Sequence, residues 1–319
     1  MEPRENIFDN NNTKRISYII ITKNRASRLN EALISCRQFK GIDDEVILID
    51  GASTDNTESV VKDFSDIIDI YISEPDKNGI EALNKGLLLA HGKYVKPIGD
   101  SDTFYKNALE QAYEIMESNP EVDLIIPGGI RTSDGKWNGR YMYYSTGTNF
   151  GSSVDDFYQH GLSVSGCGIF FRRKLLSRVG LWESESVSPD HCFLIRSISL
   201  GANVKFCRIN MYFHPLDAGS VTIRDHKLKY KEVDRIIRTY SSKEFQKKYF
   251  RPMLVLERNI GRYRNPNSFH KVYYQDKSIM YRLIRKMIRV IYKPYVILLN
   301  KKESVEKTII EPIWDGGFS

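Results

Sequence analysis

An open, doubly wound α/β sheet is the fold this sequence predicts, and two observations carry the prediction. Strand and helix patterns alternate four times between Ile16 and Asp102, the chain order of parallel strands joined by right-handed crossover helices. Each of the four strand patterns also ends in polar residues: Thr22, Asp50, Glu74-Pro75-Asp76 and Asp100-Ser101-Asp102. In such sheets ligands sit beyond the carboxyl ends of the strands.

Residues 16–22 (ISYIIIT) are a nearly continuous β-branched run, suited to a strand buried on both faces. Asn24 can cap a following helix in which Leu29, Ala32, Leu33 and Cys36 recur at helical spacing. Residues 45–49 (EVILI) form the second strand, and Ser53 or Asp55 can cap a helix running to about Phe64. A third strand covers 67–72, a helix 79–90 and a fourth strand 93–98. A helix is expected over 104–118, a strand over 122–127, and a loop-and-hairpin region rich in Gly, Tyr, Thr and Asn over 128–150. Residues 169–171 read as a strand and 172–179 as a helix closed by Gly180. Ser188-Pro189-Asp190 is a helix start, with Ser at the cap, Pro in the first position and Asp in the first turn. A strand over 203–213 follows.

Alternate side chains of an extended chain point to one side, so Asp100 and Asp102 can share a face and offer hard oxygens to a divalent cation that also binds phosphate. A solvated turn is the plain alternative. Neither Gly-x-Gly-x-x-Gly nor Gly-x-x-x-x-Gly-Lys-Ser/Thr is present, which disfavours a dehydrogenase and a P-loop phosphotransferase. The polar residues 1–14 lack the apolar core of a secretory signal, and no apolar run reaches the roughly 18 residues of a membrane span. Cys36, Cys167, Cys192 and Cys207 have no paired short spacing, so they read as reduced cysteines of a cytosolic protein. The net charge of +7 is uneven: residues 224–302 carry 22 basic and 6 acidic side chains, while residues 1–223 are net acidic. A boundary near 220–240 and an anionic partner for the later segment follow from that split.

Taken together the motifs resemble the large inverting glycosyltransferase family 2 with the GT-A fold. The resemblance is carried, in this order, by residues 17–25 (SYIIITKNR), 49–57 (IDGASTDNT), 73–77 (SEPDK), 81–86 (EALNKG), Asp100-Ser101-Asp102, and Ser188-Pro189-Asp190 with Arg196 on the same helix. It covers residues 15–225, with 1–14 as a flexible N-terminus and 226–319 as a basic, mostly helical region. It implies that Thr22 and Lys23 line a nucleotide pocket and that Asp50 accepts from the base. It also implies that Asp76, Lys77 and Lys85 border base, ribose or phosphates, and that Asp100 faces the ribose or a metal-bound water. Asp102 would hold Mn²⁺ or Mg²⁺ against the diphosphate, with His214 as a further metal ligand, and Asp190 would be the general base. Three departures stand out: the family's usual Tyr after the first strand is Lys23, the second Asp that often follows the second strand is Gly51, and the Glu-Asp that often opens the catalytic helix is Pro189-Asp190, which leaves one candidate base. Asp217-Ala218-Gly219-Ser220-Val221 resembles the loop that closes over the donor.

The expected activity is transfer of a sugar from a nucleotide-sugar, a UDP-sugar foremost, to a hydroxyl of a lipid-linked oligosaccharide in bacterial surface-polysaccharide synthesis. A sugar-1-phosphate nucleotidyltransferase and a non-catalytic membrane or nucleic-acid adaptor are the alternatives. The first lacks its Gly-rich phosphate loop here, and retention of Asp50, Asp102 and Asp190 speaks against the second. Met280, Leu283, Ile284, Met287, Ile288 and Ile291 form one helical face, largely opposite Arg282, Arg285, Lys286, Arg289 and Lys293. That pattern suits a helix lying on an anionic membrane surface, or one packed on the catalytic domain with its basic face solvated. The expected location is therefore the cytoplasm, peripheral on the inner face of the membrane. No nucleic-acid-binding motif accompanies the charge.

Overall fold

A computed structural model describes residues 14–100, 102–105, 107–133, 141–142, 154, 166–216 and 226–247. The 217–221 loop, the 278–300 helical pattern and most of the 128–150 aromatics lie outside them. The strands are β1 (Lys14–Thr22), β2 (Glu45–Asp50), β3 (Ile70–Ser73), β4 (Gly92–Gly99), β5 (Thr103–Phe104), β6 (Leu124–Ser133), β7 (Tyr141–Met142), β8 (Phe170–Arg172) and β9 (Val204–Leu216). They form one mixed sheet in the order β3-β2-β1-β4-β8-β6-β9-β5, with β7 paired to β6. The β3-β2-β1-β4 block is parallel, β8 is antiparallel to β4 and β6, and β6 and β9 run parallel. The predicted doubly wound sheet is observed, and β8 makes it a mixed one.

Helices α1 (Ala26–Phe39), α2 (Thr57–Asp63) and α4 (Ala108–Ser118) cover one face. On the other lie α3 (Gly79–Leu89), α5 (Leu175–Val179), α6 (Pro189–Ser199) and α7 (His226–Tyr240). The pleat explains why the middle of β1 is apolar on both faces: Ile19 packs under α3, while Tyr18 and Ile20 lie in the core cluster shared with α1 and α4. Each such buried aliphatic or aromatic side chain contributes about 1.5–3 kcal/mol. Gly86 lets α3 approach closely, since a Cβ there would stand 2.3 Å from Cγ2 of Ile19. Helix α7 belongs to the same compact unit as the sheet, with Ile236 buried in the cluster of Phe193 and Trp182.

Three local expectations are corrected. Asn24 does not cap α1. It sits at a left-handed φ of 53°, and its side-chain oxygen accepts from Thr54 N–H (2.7 Å). The capping carboxylate comes from the next loop: Asp55 accepts from Ala26 N–H (3.0 Å) at α1 and from Thr57 N–H (3.1 Å) at α2. The helix expected from 104 begins at Ala108, because Thr103 and Phe104 pair with Phe213 and Tyr212 as β5. Ser188 occupies the N-cap position of α6, but its hydroxyl makes no capping hydrogen bond. Among the described residues no helix is long and apolar enough to cross a membrane.

Candidate active site

The parallel register brings Thr22, Asp50 and Ser73 into one row at the carboxyl edge of the sheet. Strand alternation puts Thr22 and Asp50 on the side of Ile20 and Leu48, under α1 and α2. Asp50 is 2 % exposed and amply bonded. It accepts from Ser53 N–H (3.1 Å), from the Ser53 hydroxyl, from Ser73 Oγ (2.7 Å) and from Tyr71 Oη (3.4 Å). Ala52 reaches that turn at a left-handed φ of 58°, a strained conformation of the kind found where geometry serves a site.

Asp100 and Asp102 follow β4, both buried. Asp100 accepts from Arg25 Nη1 (3.0 Å) and from Thr22 Oγ1 (3.3 Å). Asp102 closes a tight turn, accepting Gly99 N–H at 2.9 Å, while its own N–H reaches Gly99 O (3.1 Å). A carboxylate has about four lone-pair directions, so accepting Gly99 N–H is compatible with a cation on Asp102. Buried hard oxygens at a rim of parallel strands fit Mn²⁺ or Mg²⁺. His214 lies on β9 one residue beyond the last β5–β9 row, Thr103 opposite Phe213, at the end of the ladder where Asp102 enters β5.

Past the strand ends the chain turns to the opposite side of the sheet. Lys23 Nζ lies 3.7 Å from Asp76, whose side chain is 4 % exposed against 49 % for Lys23. Lys85 pairs with Glu74 (2.8 Å) and donates to Pro75 O (3.2 Å); the Glu74 bond raises its pKa. Lys77 is exposed, and its N–H bonds Glu81 at the start of α3 (2.9 Å).

Asp190 stands in the first turn of α6, its Oδ1 accepting His191 N–H at 2.8 Å, and Gly166 packs near its Cβ. The segment before it is clamped by α3. Asn84 binds Trp182 twice, donating to its carbonyl (2.8 Å) and accepting its N–H (3.0 Å), and Asn78 donates to Ser184 O (2.9 Å). Trp182 stacks on Phe193 of α6 with ring centroids 4.9 Å apart. On the far side, Arg235 of α7 bridges Glu183 (2.9 Å) and Glu232 (2.7 Å) beside Cys192. Burial pushes the Cys192 thiol up to about 12. Glu232 titrates below its ordinary range despite the opposing effect of burial, because Arg235, Cys192 and Ser186 donate to it. Arg235, together with Arg196 on Glu183 (3.3 Å), balances these carboxylates, so the cluster is a latch between α6 and α7.

The profile of "Glycosyl transferase family 2" matches residues 17–180, strand β1 through α5. The chain belongs to that family. An uncharacterized glycosyltransferase of Rickettsia prowazekii is 26% identical over 181 residues, 55% of each chain, so this chain matches about half the length of that relative. A PGL/p-HBAD biosynthesis glycosyltransferase of Mycobacterium bovis is 26% identical over 238 residues, 73% of this chain and 82% of that one. S. aureus TarS 1-349, solved with UDP-GlcNAc, superposes with TM-score 0.59 at 16% identity, over 74% of this chain and 72% of that one. Mannosyltransferase PcManGT from Pyrobaculum calidifontis, solved with GDP-Man and Mn2+, gives 0.55 at 18% identity, over 89% and 82%. These likenesses show the GT-A fold for this family 2 chain.

The structure thus joins Thr22 with Asp100, and Lys23 with Asp76, and it sets Asp50 among donors of its own. Arg25, Asn78 and Asn84 were not among the residues expected at the site. Arg25 lies inside the 17–25 motif and could have been noticed there. Asn84 likewise lies inside the 81–86 motif, but the contact that it and Asn78 make with a segment about a hundred residues later is one that no local pattern signals.

Proposed function

We propose that this chain transfers a sugar from a nucleoside-diphosphate sugar, a UDP-sugar foremost, to an acceptor hydroxyl with inversion. The observation that carries the reading is the buried pair at the end of β4: Asp100 held by Arg25 and Thr22, and Asp102 held in a tight turn. The nucleotide lies along the rim bordered by Thr22, Lys23, Asp50, Asp76, Lys77, Lys85 and Asp100. Asp102, with His214, holds the divalent cation, which when bound supplies positive charge to the leaving diphosphate. Asp190 accepts the proton of the acceptor hydroxyl as that oxygen bonds to the anomeric carbon and the bond from that carbon to the diphosphate oxygen breaks. A single carboxylate on the face opposite the leaving group is what one-step inversion requires. The solved neighbours bind UDP-GlcNAc in one case and GDP-Man with Mn2+ in the other, which supports a nucleotide-sugar donor and a metal. The acceptor we favour is a lipid-linked saccharide in surface-polysaccharide synthesis, because residues 224–302 carry the excess of positive charge that suits an anionic membrane surface.

The test is calorimetry with UDP and Mn²⁺, alongside turnover of a nucleotide-sugar panel. Asp190→Asn should bind UDP as the wild type does and lose about 10²- to 10⁴-fold in turnover. Turnover at the wild-type rate would remove Asp190 from the mechanism.

A further inference from the structure

We infer that Glu232 of α7 is a positioning residue for the transfer step: through Ser186 and Cys192 it fixes the first turn of α6 and so aims the Asp190 carboxylate. The inference rests on the reading of Asp190 as the general base and adds to it a residue from beyond the segment that the family profile matches. Its starting point is a helix start that does not hold itself. Ser188 stands at the N-cap of α6 and is 2 % exposed, yet its hydroxyl caps nothing, and its Oγ has no hydrogen-bond partner among the described residues. The Asp190 carboxylate accepts the N–H of its own neighbour His191. That bond travels with the turn and leaves the placing of the turn to other groups.

Another element supplies the hold. Oε1 of Glu232 accepts from Ser186 Oγ (3.1 Å), Cys192 Sγ (3.2 Å) and Arg235 Nη2 (2.7 Å). Ser186 Oγ in turn accepts the N–H of Ser188 (3.0 Å), and Cys192 N–H donates to Ser188 O (3.0 Å) to close the first turn. One carboxylate therefore holds the chain through Ser188, two residues before Asp190, and through Cys192, two residues after it. An ionised acceptor suits this place, because charge-assisted hydrogen bonds are about twice as strong as neutral ones. Arg235 also donates to Glu183 (2.9 Å), which ties Glu232 to the segment leading into α6. The α3 clamp on Trp182 and Ser184 acts upstream of this grip. Neither Glu232 nor Ser186 is among the rim residues assigned to the nucleotide, so their loss should reach the chemistry and spare binding.

The experiment measures UDP release from UDP-glucose, UDP-galactose and UDP-GlcNAc by the full chain, with water as the acceptor that Asp190 deprotonates. Turnover is divided by the UDP-binding sites counted by calorimetry, so unfolded chains drop out of kcat. Glu232→Ala should lower kcat per site about 10- to 100-fold, the scale of a misplaced catalytic group. KM for the sugar nucleotide and Kd for UDP should stay within about 2-fold of wild type. Glu232→Gln keeps an acceptor oxygen for Ser186 and Cys192 and should recover to within about 3-fold of the wild-type kcat. In an Asp190→Asn background, Glu232→Ala should move kcat by less than about 2-fold, since the group it aims is gone. Ser186→Ala cuts the link to Ser188 with a smaller change, should show the same split, and decides the matter if Glu232→Ala does not fold. An unchanged kcat in these variants, or equal losses in the two backgrounds, would overturn this inference alone. Wild-type turnover in Asp190→Asn, or no UDP release by the wild type, would overturn the reading beneath it and this inference with it.

Discussion

Replacing Asn84 with Ala should loosen the segment that leads into Asp190, and the structure sets the size of the effect. The Asn84 amide satisfies both backbone groups of Trp182, at 2.8 and 3.0 Å, and the Trp182 residue is 4 % exposed. Truncation strands one donor and one acceptor, each costing about 1–3 kcal/mol when buried without a partner. Partial entry of water pulls the total toward the lower end, so about 2–4 kcal/mol is expected. Urea unfolding followed by circular dichroism reads this as a lower midpoint at an unchanged slope. Asn84→Asp keeps the acceptor for Trp182 N–H but sets a carboxylate against the Trp182 carbonyl, so it should be no more stable than the Ala variant. Because Trp182 stacks on Phe193, three residues after Asp190, turnover should fall while UDP affinity is held. A loss of stability below about 0.5 kcal/mol, the range of an ordinary surface substitution, would refute the clamp.

Asp55 caps two helices at once, so Asp55→Ala should cost about 1–2 kcal/mol near neutral pH. Hydrogen bonds from Thr57 and Ala26 hold the Asp55 carboxyl below its ordinary pKa. Its contribution is therefore present above the unfolded value and lost as pH falls through the folded one. Stability curves of wild type and variant should converge on acidification below about pH 4, and a gap that widened there would contradict the assignment. Arg172 is buried and donates to Val122 O (2.7 Å), Tyr94 Oη (2.9 Å), Asn119 O (3.2 Å) and Met116 O (2.6 Å). Arg172→Met leaves these acceptors unsatisfied and should cost about 3 kcal/mol or more, seen as a clearly lower melting temperature by scanning calorimetry; an unchanged one would show that water replaces the guanidinium.

Much of the frame was legible in order along the chain. Buried parallel strands are apolar on both faces, so 16–22 and 45–49 announced themselves as β1 and β2. The Pro189-Asp190 signal marked α6 at its true start, because proline at the first helical position loses no hydrogen bond. Local reading failed where a distant partner decided the outcome. Phe104 looked helical until β9 offered a strand to pair with. Asn24 looked like a cap, but Asp55 arrived from the next loop with a better-placed acceptor.

The site divides in the same way. Sequence alone determined that carboxylates and a threonine stand at the ends of successive parallel strands, since strand length and turn chemistry are local properties. It also determined that position 51 has no side chain and that position 23 is a lysine. Only the tertiary structure decided which groups meet. Pairwise contacts across the rim depend on register between strands and on the side to which each turn sends its residues, and neither is encoded within a single window of sequence. So Asp100 lies against Arg25 and Thr22, Asp50 is enclosed by Ser53, Ser73 and Tyr71, and Asp76 rests with Lys23 over Gly51.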